Sequence, residues 1–180
     1  MKTIKVGHIL LITSTAALWI AAAATGRAQT QTNRLRLGVY DSRAVAVAYA
    51  NSREHSEAMK PELADYEKAK AAKNDKRVKE IDARMKLKQR RAHEQAFSTG
   101  SVAATLAKVK DALPAVAKEA GVQAIVSKWE LNYQSPGVEV VDVTDRIVAL
   151  FHVSDRGLKW TKDIQTKPPL PIEQITDDMD

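Results

Sequence analysis

The chain has 180 residues, of which 28 are Lys or Arg and 22 are Asp or Glu, and it contains no cysteine. The lack of cysteine excludes a disulfide framework and a lipid-modified cysteine, so packing alone must stabilise the fold. Aromatic residues make up 5% and charged residues 28% of the chain. This balance favours an elongated helical protein of one-domain size over a large compact core.

Residues 1–28 have the features of a secretory signal peptide. Two lysines lie within the first five residues, an apolar run extends from Ile9 to Ala24, and small residues follow. We expect cleavage after Ala28 or after Ala24. The apolar run is also near the length that spans a bilayer, so an uncleaved membrane anchor remains the alternative. Cleavage after Ala28 leaves 25 basic and 22 acidic residues, a net charge of about +3.

Residues 34–52 are predicted to form a strand followed by a helix. Apolar residues alternate through Arg34–Tyr40, which is the period of a strand. Asp41 or Ser42 can then cap a helix, because either side chain accepts from free N–H groups of the first turn. The helix is expected to continue to Tyr49, with an interruption at Asn51-Ser52.

Residues 53–120 consist mostly of strong helix formers and predict a long helical hairpin. Pro61 favours a local restart of the helix near Lys60, and Ala72–Asp75 is the best candidate for a turn. The returning helix has apolar residues near the 3.5-residue spacing of a coiled-coil seam: Val78, Ile81, Met85, Ala92, Ala96, Val102, Leu106, Val109, Leu113 and Val116.

A second candidate turn lies at Phe97–Ser101. The apolar spacing passes through this segment nearly intact, so we interpret it as a weakened stretch of helix, with a hairpin tip at this position as the alternative. Gly121 should end the returning helix, because glycine adopts the left-handed cap conformation at low cost.

Residues 121–151 are predicted to complete a small sheet and end in a helix. The expected elements are a strand at Val122–Ser127, a strand at Glu130–Gln134, a turn at Ser135–Gly137, an extension of the sheet at Val138–Val143, and a helix at Asp145–Phe151 capped by Asp142 or Thr144.

Residues 152–180 are predicted to be an extended or disordered tail. Asp155–Gly157 should break the chain, and the proline-rich Lys167–Pro171 and the acidic Asp177–Asp180 are typical of such segments.

Three blocks of this sequence resemble the Skp/OmpH family of periplasmic chaperones. They are the strand and capped helix LGVYDSRAVAVAY, the long charged hairpin, and the pair AVAKEAGVQAIV and LNYQSPGVEVVDVTDRIVALF. The third block is the more specific, with an apolar strand at Ile125-Val126, an aromatic residue at Tyr133, a small turn at Pro136-Gly137 and a cap at Asp142–Asp145. The resemblance covers residues 34–151.

The resemblance implies an α+β fold in which a strand-rich body, residues 34–52 and 121–151, associates as a homotrimer. The hairpin of residues 53–120 would project from this body as a coiled-coil arm. The implied function is an ATP-independent periplasmic holdase that binds unfolded outer-membrane proteins, without catalysis or a cofactor. The arm is shorter than in well-known members of the family, and the tail from His152 onward extends beyond their usual end.

A dense basic cluster lies in the hairpin, where eleven basic residues face only three acidic ones between Lys68 and Arg91. A block of one sign favours attraction to acidic client segments or to an anionic lipid surface, and the alternative is a solvated helix face. Nucleic acid is disfavoured, because no aromatic residues interleave the charges. The cluster consists of Lys68, Lys70, Lys73, Lys76, Arg77, Lys79, Arg84, Lys86, Lys88, Arg90 and Arg91.

The sequence offers no constellation typical of an enzyme or a metal site. His93-Glu94 begins like a zinc-protease helix, but Phe97 stands where the second histidine of that motif is required. His55 lacks a third ligand beside Glu54 and Glu57. We therefore expect no catalytic residues and no metal. The alternative to a holdase is a structural or tethering coiled-coil protein of the envelope, held by an uncleaved N-terminal anchor.

Overall fold

The computed structural model describes residues 34–176, so the predicted signal peptide at residues 1–28 and the acidic end at Asp177–Asp180 lie outside the described residues. The chain has a mixed fold of helices and strands, as expected. In chain order the elements are β1 (Arg36–Tyr40), α1 (Ser42–Ala50), α2 (Arg53–Ala71), α3 (Asp75–Phe97), α4 (Ala103–Leu106), α5 (Leu113–Ala120), β2 (Ala124–Ser127), β3 (Glu139–Asp142), α6 (Thr144–Val148), α7 (Asp155–Gln165) and a 3-10 turn (Ile172–Gln174).

The three strands form a parallel sheet in the order β2-β1-β3. Gly38 lies opposite both Ile125 and Val141, and these two side chains pack against the hydrophobic core. Because side chains alternate along a strand, the neighbouring positions point to the other side of the sheet. We call that side the far face, and its residues are Leu37, Val39, Ala124, Val126, Val140 and Asp142.

Helix α1 lies at the centre of the core. Ala44, Val45 and Ala48 are fully buried, and α3, α6 and α7 pack around the helix. The small alanines allow these helices to approach closely. As predicted, the helix begins at an aspartate cap, since Asp41 accepts from the backbone N–H of Arg43.

The junction predicted at Asn51-Ser52 is confirmed. Asn51 ends α1, and the Ser52 hydroxyl caps α2 by accepting from the His55 N–H at 3.1 Å. Ser52 also forms an isolated bridge with Val153. The first turn of α2 is therefore tied to the segment between α6 and α7.

Helices α2 and α3 form an antiparallel hairpin, Arg53–Phe97, which we call the hairpin. The predicted turn at Ala72–Asp75 is confirmed. Lys73 takes a left-handed conformation with φ of 52°, and Asn74 caps α3 by accepting from the Arg77 N–H at 3.0 Å. Ile81 of the predicted seam is fully buried.

The predicted restart at Pro61 is wrong, because α2 continues through it from Arg53 to Ala71. Pro61 has no N–H to donate to the carbonyl four residues earlier, which normally weakens a helix. Its position on the exposed side of α2 lets water reach the carbonyl that lost this partner.

The interpretation of Phe97–Ser101 as a weakened stretch of continuous helix is also wrong, as is a hairpin tip there. Helix α3 ends at Phe97, and Ser98 is extended. A Cβ on Gly100 would lie 2.9 Å from the Glu94 carbonyl oxygen, so a tight non-helical turn forms here. The apolar spacing beyond this point serves the main core instead of a seam, since Val102 and Val116 are core residues.

The strand predicted at Glu130–Gln134 does not form. This segment has an alternating pattern, but Tyr133 is 79% exposed and the place beside β1 is taken by β3. The turn at Ser135–Gly137 is confirmed by a bond from the Val138 N–H to the Ser135 oxygen at 3.0 Å.

The prediction of an extended or disordered tail from residue 152 is wrong for α7, which Ser154 caps. Gly157 was expected to break the chain. It is instead a point of close approach, because a Cβ there would lie 2.6 Å from the Asn51 Cβ and 2.7 Å from Val153 Cγ1. Helix α7 packs on α1 through Thr161 and Ile164, which are both buried.

Candidate functional site

Four members of the predicted basic cluster make ion pairs that hold the hairpin or its helices together. Arg84 and Lys88 of α3 both reach Glu62 of α2, at 3.4 and 2.5 Å. Arg77 contacts Asp65 across the hairpin at 2.6 Å. Arg90 contacts Glu94 within α3, at 3.4 Å.

In two of these pairs one member is shifted towards its charged form. A hydrogen bond from Lys88 lowers the pKa of Glu62, and a hydrogen bond to Asp65 raises the pKa of Arg77. The pairs are largely solvent-exposed, so each contributes little to stability. The main consequence of the pairs that join α2 to α3 is to fix the register of the two helices.

The other seven members of the cluster are exposed, and no described carboxylate lies within ion-pair distance of them. Five of the seven surround the turn of the hairpin, where residues 71–76 are all exposed. An unpaired cation keeps its full field for a partner. The seven are Lys68, Lys70, Lys73, Lys76, Lys79, Lys86 and Arg91.

The hairpin also presents apolar side chains to solvent. Leu63 is 46% and Leu87 65% exposed, while Met59 and Met85 are half-buried. Methionine is flexible and polarizable, so it adapts to varied apolar partners. Free cations and exposed apolar groups therefore occupy the same element.

A second polar cluster, which the sequence did not predict, lies at the carboxyl ends of the strands. Asp41 and Arg43 form an ion pair of 2.8 Å with both side chains 1% exposed. Lys128, which follows β2, contacts Asp41 at 2.9 Å. Thr144, at the start of α6, accepts from the Asp41 N–H at 3.0 Å. The cluster thus joins the ends of all three strands.

Trp129 completes this cluster. Its indole N–H donates to Asp41 at 3.1 Å, and Arg43 lies 4.8 Å from the ring centroid. Burial alone would raise the pKa of Asp41, but hydrogen bonds from Arg43, Lys128 and Trp129 outweigh it and lower the pKa to about 2. Both carboxylate oxygens are engaged, so the cluster acts as a structural clasp. A sequence signal existed, since an aspartate directly after a strand is followed two residues later by an arginine.

The histidines of the described residues do not converge. His152 pairs with Glu54, and its hydrogen bond lowers the pKa of that carboxyl to about 2. His55 packs edge-on against Tyr49 with ring centroids 5.1 Å apart. Between residues 34 and 176 there is no group of three or more side chains suited to hold a metal ion, and none of the helices there is long and apolar enough to cross a membrane.

No family model, curated protein or solved structure matches this chain.

Proposed function

We propose that the chain is a periplasmic, ATP-independent holdase that binds unfolded outer-membrane proteins and keeps them from aggregating. The observation that supports this most is the combination of free cations and exposed apolar side chains on the hairpin. An unfolded client offers both acidic segments and apolar segments. Many weak contacts of both kinds give retention without specificity.

Capture in this proposal begins with electrostatic attraction. The lysines around the hairpin turn draw acidic client segments at long range, and salt weakens this step because it screens exposed charges. Contact with the apolar groups Leu63 and Leu87 then holds the client. The same lysines would also attract an anionic lipid surface, such as the membrane to which the client is delivered.

In this proposal three copies of the chain associate, and the sheet supports an association of copies. Purely parallel sheets are normally covered on both faces, yet the far face lies outside the main core cluster. Of its six residues only Val39 is buried, and the other five are at least partly exposed. Strands β2 and β3 are also edges within the described residues. Copies of the chain that meet at this face would cover it and place their hairpins around one client.

A charge-reversal experiment tests the holdase. We expect Gln29–Asp180 in molar excess to suppress aggregation of a diluted, urea-unfolded β-barrel protein, followed by light scattering. The triple variant Lys70→Glu, Lys73→Glu, Lys76→Glu should need several-fold more protein than the wild type for the same protection. The difference between the two proteins should shrink as salt is raised, because salt screens the attraction that the lysines provide.

A matched control changes the same net charge elsewhere. The control variant carries the substitutions Lys110→Glu, Lys118→Glu and Lys159→Glu, at three exposed lysines outside the hairpin. It should protect the client as well as the wild type does. The holdase would be refuted if the client aggregated in excess wild-type protein as fast as it does alone. Equal losses in the two triple variants would refute the role of the hairpin turn.

A further inference from the structure

The last described segment, Lys167–Thr176, runs from the end of α7 to the base of the hairpin, and we call it the strap. Arg43 Nη1 donates to the Lys167 oxygen at 2.9 Å. The Leu170 N–H donates to the Phe97 oxygen at 2.8 Å, and His93 Nδ1 lies 3.2 Å from the Thr176 oxygen. The strap is therefore bonded to α1 at its start and to α3 at two later points.

The bond from Leu170 caps α3. Residues 168, 169 and 171 are prolines, so Leu170 has the only N–H group in this run of four. The carbonyl of Phe97 is the last of α3, where no intrahelical partner exists. The strap supplies that partner from a distant part of the chain.

One apolar side chain anchors the far end of the strap. Ile175 is 5% exposed, whereas Ile172, three residues earlier, is 52% exposed. Between these contacts the strap is only loosely packed, since Ser98–Gly100 and Pro169–Glu173 line a groove of about 450 Å³. A segment held at a few separate points, with its other residues exposed, belongs to the part of a fold that opens first.

We infer that the strap is a releasable clamp on the base of the hairpin. When closed, it caps α3 and ties its last turns to α1 and the Asp41–Arg43 pair. When released, it frees the end of α3 and the loop that follows, while the sheet and the hairpin turn remain folded.

Two isoleucine variants test the clamp in Gln29–Asp180. Ile175→Asp places a charge at the buried anchor, and Ile172→Asp is the matched control at the exposed position. Amide hydrogen exchange is followed by mass spectrometry. We expect residues 90–101 to exchange at least tenfold faster in Ile175→Asp, with β1, α1 and the hairpin turn at the wild-type rate. Ile172→Asp should match the wild type throughout.

Two results would overturn the clamp. Unchanged exchange at residues 90–101 would mean that the strap does not restrain α3. An equal rise in all segments would mean that the strap is part of one cooperative core. If Ile175→Asp does not fold, Leu170→Pro decides by the same readout, because it removes the N–H that caps Phe97 and leaves Ile175 in place.

Discussion

Among single residues, the most deeply buried ion pair of the described chain is Asp41–Arg43, with both side chains 1% exposed. A charge taken out of water is tolerated only when it is paired and fully hydrogen-bonded. Arg43 meets this condition with Asp41 on one side and the Lys167 oxygen on the other. One buried arginine thus connects the ends of the strands, near the start of the described chain, to the strap near its end.

This pair predicts a specific acid sensitivity. The pKa of Asp41 is about 2 in the folded chain against an ordinary value of 3.8, so between these values the unfolded chain binds more protons. The free energy of unfolding must therefore fall as the pH falls through this window, by about 2 kcal/mol in total. When the free energy of unfolding is measured with denaturant from pH 7 to pH 2, Asp41→Asn should lose less stability at low pH than the wild type does. Asp111→Asn, at an exposed position, should lose as much as the wild type. An equal loss in all three proteins would contradict this prediction.

At the scale of elements, backbone conformation decides where α5 stops. Gly121 follows α5 with φ of 65°, a region that is costly for any residue with a Cβ. Gly121→Ala should lower the free energy of unfolding by about 1–2 kcal/mol. Gly137→Ala is the control, because the nearest atom to an added Cβ is 3.9 Å away and its φ is not positive. The role of Gly121 as a cap would be contradicted if thermal and denaturant unfolding gave the same stability for the two variants.

The elements also show how far the sequence predicts the fold. Local signals were sufficient for β1, the Asp41 cap, the Asn74 turn and Gly121, because each depends on neighbouring residues. Errors arose where distant partners decide the outcome. An alternating pattern cannot show that β3, and not Glu130–Gln134, takes the place beside β1. A continuous apolar spacing cannot show that Val102 packs into the main core instead of a hairpin seam. A glycine at residue 157 does not by itself indicate that the backbone there packs closely against Asn51.

The candidate site divides in the same way. The basic cluster is visible in the sequence, and the structure adds which of its members are engaged in ion pairs and which are free. The Asp41–Arg43 part of the clasp has a local sequence signal, whereas the contacts that join residue 41 to 129 and residue 97 to 170 cross the fold and have none. Pairings of this kind depend on tertiary packing, which no local pattern encodes.

In the molecule as a whole, the described residues of one copy cover only one face of the sheet. The far face is apolar except for Asp142 at the end of β3, and Val126 and Val140 lie on it half-exposed. Val126→Lys would place a charge within the proposed contact between copies, where a buried unpaired cation is strongly unfavourable. Asn132→Lys adds the same charge in the exposed loop after β2, so it serves as the control.

The most direct test is the absolute mass of Gln29–Asp180 in solution, measured by size exclusion with light scattering at micromolar concentration. We expect three copies for the wild type and for Asn132→Lys, and a folded single copy for Val126→Lys. A wild-type protein that stays monomeric or dimeric would contradict the account, because the far face would then be uncovered or covered differently. The holdase built from three hairpins would have to be abandoned.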